Sequence, residues 1–164
     1  SELGCQLPSM LLTQHQSWFD GPHAGGLGWG FPAAMGFALA QPDRTVVATM
    51  GDGSYMFANP VACHQIAEAL EISMIVLVLN NAEWGAVRQS VVDIYPDGHA
   101  ARSNVVPLTD LSPSPNFMQV AMASRAWARR VKDADRFEEA LAEALDHTQA
   151  QRGLAFIEVI IGKD

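Results

Sequence analysis

Apolar and polar positions alternate along this chain in two rhythms. Thr45 to Met50 and Ile72 to Leu79 are short runs that are apolar almost throughout, as expected of strands buried in a parallel sheet. Ala126 to Val131 is a weaker strand candidate and Ala155 to Ile161 a final one. Between them the spacing lengthens to helical periods. A helix is predicted from Pro32 to Ala40, with small residues suited to tight packing on a sheet. A second starts at Asn59-Pro60, read as a capping side chain followed by a first-turn proline. Ala62, Ile66 and Leu70 then share one face, which should cover the sheet, and His64 lies off that face, exposed. Further helices are predicted over Ala82 to Val92, Phe117 to Ala123, and after Asp135, where Glu138 completes a capping-box pattern. In that last helix Phe137, Leu141 and Leu145 recur at four-residue spacing before Gly153 ends the region. Gln41 to Arg44 is a turn, and Asp93 to Pro115 a long loop rich in Pro, Asp, Ser and Gly. The order implies an α/β fold, a doubly wound and mainly parallel sheet with helices on both faces.

Composition narrows the picture. With 164 residues, 49% hydrophobic and 17% charged, the chain suits one domain, residues 1–164, with a well-buried core. A net charge of −8 argues against nucleic acid as a partner. It also disfavours an anionic ligand, unless a metal ion and helix N-termini neutralise it locally. Cys5 and Cys63 lack metal-site spacing and read as reduced thiols. With no apolar run of transmembrane length and no signal-peptide pattern, a cytoplasmic protein is expected. Residues 1–21 carry little signal: Ser1 to Gly4 resembles the tail of a strand, and Pro8 to Gln14 a short helix. His15 and His23 flank the approach to a glycine-rich stretch, as plain loop residues or with one of them near a substrate.

Candidate chemistry sits where the first two strands end. Thr45 to Met50 runs into Gly51-Asp52-Gly53-Ser54, and Ile72 to Leu79 into Asn80-Asn81. Each motif alone reads equally well as a turn or loop start. Together they close two apolar strands separated by one helix length. In an open parallel sheet such tips lie at the carboxyl edge, where ligands bind. Mg²⁺ takes oxygen ligands, usually one or two carboxylates with waters and phosphates. Asp52 can supply the carboxylate and Asn81 a neutral oxygen, with a loop carbonyl beyond as a third. Ser54 and the amides after it open a helical region that attracts anions.

These residues carry a resemblance. Gly51-Asp52-Gly53 with Asn80-Asn81, and upstream Gly25-Gly26-Leu27-Gly28-Trp29-Gly30-Phe31-Pro32-Ala33-Ala34, are similar to the fingerprint of the thiamine-diphosphate-dependent 2-oxo-acid enzymes. The acetolactate synthase and benzoylformate decarboxylase branch is nearest, and the match is to the diphosphate-binding domain. The resemblance implies thiamine diphosphate and Mg²⁺ as cofactors, with Asp52, Asn81 and the backbone carbonyl of Glu83 on the metal. It implies that Gly51, Gly53, Ser54 and the amides near Trp84 and Gly85 meet the diphosphate. Gly25, beside Gly26, would offer a carbonyl to the aminopyrimidine, and Leu27 would wedge beneath the cofactor and bend its rings together. Trp29 and Phe31 read as packing residues, and Arg88 to Ser90 as a weak candidate for substrate contact.

The implied activity is decarboxylation of a 2-oxo acid, with the product released or ligated to a second carbonyl. The family also uses a glutamate from a separate pyrimidine-binding domain, usually on a neighbouring subunit of a homo-oligomer (dimer or tetramer). That glutamate is not found here. The expectation is therefore the C-terminal part of a longer chain, inactive alone, or one subunit of a split decarboxylase of the sulfopyruvate or phosphonopyruvate type. A non-catalytic cofactor-binding module and a generic Mg²⁺-nucleotide domain are the competing classes. The latter lacks both a Gly-x-x-x-x-Gly-Lys-Ser/Thr loop and a Gly-x-Gly-x-x-Gly stretch after its first full strand.

Overall fold

The computed structural model describes residues 12–21, 26–103, 109–151 and 153–162. Four strands, β1 (Val47–Gly51), β2 (Ile75–Asn80), β3 (Trp127–Val131) and β4 (Ala155–Ile160), pair in parallel throughout in the order β1-β2-β4-β3. The helices are α1 (Gly30–Ala40), α2 (Asp52–Phe57), α3 (Pro60–Ala69), α4 (Gly85–Ile94), α5 (Phe117–Met122) and α6 (Phe137–Gln151), with a 3₁₀ turn over Ala134–Arg136. On one face of the sheet Met50, Val76, Val78 and Phe156 pack against Phe31, Met35, Tyr55, Ala67 and Phe117 from α1, α2, α3 and α5. On the other, Ile75, Val131, Ala155 and Ile157 pack against Ala140 and Ala144 of α6. β3 and β4 are joined by the 3₁₀ turn and α6, so the chain winds back along the opposite face and sets β4 between β2 and β3. The doubly wound α/β architecture is the one that the alternation of elements implies.

Several local expectations change in three dimensions. The helix α1 begins two residues before Pro32, which sits in its first turn. β1 is an edge strand, so Val47 is half exposed instead of buried on both sides. In α3 the covered residues are Cys63, His64 and Ala67, whereas Ile66 and Leu70 face outward. His64, expected at the surface, is 1% exposed. Its ring sits edge-on to Phe31, Tyr55 and Phe156, and its Nε2 shares a 2.7 Å hydrogen bond with the Tyr55 hydroxyl. That bond satisfies one of the two ring nitrogens, while Nδ1 has no partner among the described residues. Asn59 is left-handed and makes no side-chain cap, so the start of α3 rests on Pro60. The residue that caps the turn before α6 is Asp133, which accepts from the Asp135 N–H, and not Asp135. Leu12 to Gln14 is not helical, and Pro8 to Leu11, Ser1 to Gly4, Cys5, His23 and Gly25 lie outside the described residues. Among the described residues no helix is long and apolar enough to cross a membrane.

Candidate functional site

Parallel pairing brings the two tips side by side. Gly51 is in register with Leu79, so Asp52 and Asn80-Asn81 leave the sheet at the same carboxyl edge. Asp52 is the first residue of α2 and is 1% exposed. Burial pushes its carboxyl above the ordinary aspartate range; the backbone N–H groups of Gly53, Asp52 itself, Ala82 and Glu83 act in the opposite direction. The carboxyl thus lies within the electrostatic reach of both tips. Its Oδ2 is buried and makes no hydrogen bond among the described residues. A buried acceptor without a donor is costly, and a site of this kind calls for a cation.

The two asparagines have different tasks. Asn80 is buried at the end of β2; its Nδ2 donates to Oε1 of Glu158 at 2.7 Å, and its Oδ1 accepts from the Ala82 N–H at 2.9 Å. Asn81 is only partly buried and its Oδ1 accepts from the Glu83 N–H at 3.1 Å, which folds the tip into a tight turn. Glu158 is 1% exposed and is held from its other side by Arg130 Nε at 2.7 Å. This Asn80–Glu158–Arg130 bridge fixes the second tip to β4 and β3, and sequence reasoning missed it. The only signal was a single acidic residue inside the apolar strand Ala155 to Ile161.

Beyond the tip the backbone is fixed from both sides. The Trp84 N–H donates to the Thr109 carbonyl and the Leu111 N–H to the Ala82 carbonyl, each at 2.9 Å. These bonds flank Glu83 and do not use its carbonyl. The Glu83 carboxylate pairs with Arg88 at 3.1 Å, so this side chain is occupied within the protein. Gln89 bonds Asp93, and the Ser90 hydroxyl bonds the Ala86 carbonyl.

The glycine-rich stretch docks on α2. Gly28 has φ of +85°, and a Cβ there would lie 2.5 Å from the Phe57 carbonyl carbon. Only glycine fits both the left-handed backbone and the close approach. The Gly28 N–H donates to Ser54 Oγ at 3.1 Å, so the loop and the Gly-Asp-Gly-Ser tip form one surface. Leu27, at the turn of this loop, is 48% exposed. Trp29 is 46% exposed and is not the packing residue expected, whereas Phe31 is fully buried. Gly26, Gly51 and Gly85 stand in the loop, at the end of β1 and at the start of α4, respectively. Thus Gly26, Leu27, Gly51, Asp52, Gly53, Ser54, Asn81, Glu83, Trp84 and Gly85 belong to segments that converge on one edge of the sheet.

Comparison with known proteins bears on what this edge binds. A family model described as "Thiamine pyrophosphate enzyme, C-terminal TPP binding domain" matches residues 4–159. The acetolactate synthase isozyme 3 large subunit of Escherichia coli (strain K12) is 30% identical over 146 residues, covering 88% of this chain and 23% of its own length. The mitochondrial acetolactate synthase catalytic subunit of Aspergillus candidus is 33% identical over 165 residues, covering 93% of this chain and 22% of its own. Among solved structures, a thiamine diphosphate-dependent 4-hydroxybenzoylformate decarboxylase from Rhodococcus jostii RHA1 superposes with a TM-score of 0.72 at 32% identity. That match covers 87% of this chain and 24% of the other. The chain therefore spans about a quarter of the length of these relatives.

Proposed function

The chain belongs to the family of C-terminal thiamine pyrophosphate-binding domains of thiamine pyrophosphate enzymes, and from this we propose that its strand tips hold thiamine diphosphate through a Mg²⁺ ion. The observation that carries the reading is the buried Oδ2 of Asp52 beside the second tip, unpartnered among the described residues. Asp52 would supply the charged oxygen, Asn81 its carboxamide oxygen and Glu83 its backbone carbonyl, a donor set that suits a hard divalent cation. The amides of Gly53 and Ser54, with that of Gly85, would face the phosphates; the Trp84 amide, expected beside them, instead donates to the Thr109 carbonyl. Leu27 would present an apolar wall that excludes water and brings no proton of its own, and Gly25 would contribute a backbone carbonyl.

When bound, thiamine diphosphate supplies a nucleophilic carbon and an electron sink for breaking or making the bond beside a 2-oxo group. The protein's part is to position the cofactor and to set the electrostatics around it. The activity proposed for the whole enzyme is decarboxylation of a 2-oxo acid, with or without ligation of the product to a second carbonyl. A glutamate-bearing domain, from the same polypeptide or a second subunit, would complete the site.

Calorimetric titration of the full protein with thiamine diphosphate, ATP and NAD, each with Mg²⁺, tests the reading. Thiamine diphosphate alone should bind tightly, and a preference for ATP would overturn the assignment. Asp52→Ala should keep the fold, judged by far- and near-UV circular dichroism. It should weaken Mg²⁺-dependent binding by more than about a hundredfold, beyond the loss typical of a ligand's supporting partners. Unchanged affinity in that variant would remove Asp52 from the metal.

A further inference from the structure

The backbone N–H of Trp84 is held by the Thr109 carbonyl, but its side chain carries an anomaly. The indole Nε1 is buried and has no hydrogen-bond partner among the described residues. Indole is a donor only, so among the described residues nothing satisfies this N–H. Its position is specific. A Cβ placed on Gly53 would lie 2.1 Å from Nε1 and 1.9 Å from Cδ1, so the N–H edge of the ring lies against the first turn of α2, one residue from Asp52. The indole also packs on the Phe57 ring, 5.7 Å away between centroids and tilted by 46°.

The same small region therefore holds two buried, unpartnered polar atoms of opposite sense, the acceptor Asp52 Oδ2 and the donor Trp84 Nε1. A lone cation would satisfy the first and repel the second. A lone anion would satisfy the second and be repelled by the first. A metal ion carrying a phosphate satisfies both, because the cation meets the carboxylate and an anionic oxygen meets the N–H.

We infer that the Trp84 indole is a side-chain donor to the diphosphate, a recognition residue that reads the anionic part of the ligand and ignores the rest. The inference rests on the thiamine diphosphate reading and deepens it. It also accounts for Gly53 in steric terms: any larger residue would displace the ring that carries the donor.

The test separates donation from packing. In the full protein, position 84 is changed in two ways: Trp84→Phe, and replacement of the indole by benzothiophene, which keeps the ring shape and exchanges N–H for sulfur. Affinities for thiamine diphosphate, inorganic pyrophosphate and unphosphorylated thiamine, all with Mg²⁺, are measured by calorimetry. The benzothiophene protein should bind thiamine diphosphate and pyrophosphate about tenfold more weakly, the size of one hydrogen bond to a charged group, and thiamine as before. Trp84→Phe should show the same selectivity with a larger loss, because it gives up ring contacts as well. Native affinity of the benzothiophene protein for all three ligands, or an equal loss for all three, would overturn the donor role and leave the thiamine diphosphate reading standing. Failure of the unaltered protein to bind thiamine diphosphate would overturn both.

Discussion

At the residue scale, burial of polar groups sets what this edge of the protein can do. Asp52 and His64 are both fully enclosed, and each is driven toward its neutral form for the same reason. Asp52 lies where a cation can restore its charge. His64 lies in an aromatic cage, bonded among the described residues only to Tyr55, and burial pushes it down to about 4. Between that value and the ordinary histidine value near 6.5, the unfolded chain binds a proton that the folded one refuses. Stability is therefore full above about pH 6.5 and falls as the pH drops toward 4, by about 3 kcal/mol in total. Urea midpoints at pH 7, 5.5 and 4.5 should show this decline. His64→Gln keeps a partner for Tyr55 but cannot be protonated, so it should flatten the slope in that window. An identical slope in the variant would place the titration elsewhere. Nothing in the local sequence distinguishes His64 from an exposed histidine, because its hydrogen-bond partner lies on another helix.

At the element scale, α2 is the piece against which the other parts of the site are set. It is short, and its residues are used on all sides. Asp52 and Gly53 face the second tip and Trp84, Ser54 receives the glycine loop, and Tyr55 enters the core. The docking of the loop depends on Gly28. In Gly28→Ala a methyl group would meet the Phe57 backbone at a φ that L-residues avoid, a cost of about 1–3 kcal/mol. The helix and sheet need not unfold to relieve it, since the loop can lift off α2. The variant should lose protection of the position-28 amide in hydrogen exchange, while the amides of β2 stay protected. Loss of protection in β2 as well would mean that the loop holds the core together. Elements with strong periodicity, β2 and β4 above all, were legible from sequence. The covered face of α3 was not, because its apolar residues are divided between two sides and packing selected the smaller set, Cys63 and Ala67.

At the scale of the whole molecule, the sheet is tied across its carboxyl end by one buried charge. Glu158 on β4 receives Arg130 from β3 and Asn80 from β2, so three strands meet at a single carboxylate. Asn80 in turn holds the Ala82 amide, which links this bridge to the proposed metal tip. Glu158→Ala would leave Arg130 and the Asn80 amide without their acceptor, and should cost about 3 kcal/mol of stability in denaturant titrations. It should also weaken Mg²⁺-dependent ligand binding, through a displaced second tip. A stability change below about 0.5 kcal/mol, the range of an ordinary surface substitution, would show the bridge to be incidental.

The sequence by itself determined the alternation of strand and helix, the two apolar runs that end in polar tips, and the glycine and asparagine motifs that carry the family likeness. These are local matters, since periodicity and turn chemistry act within one element or between neighbours. Tertiary structure alone decided which of two adjacent asparagines turns inward, that Asp52 is buried with its Oδ2 unpartnered among the described residues, that His64 is enclosed, and that an indole lies over Gly53. The reason is separation along the chain: Asn80 and Glu158 are 78 positions apart, and only the pairing of β2 with β4 sets one beside the other.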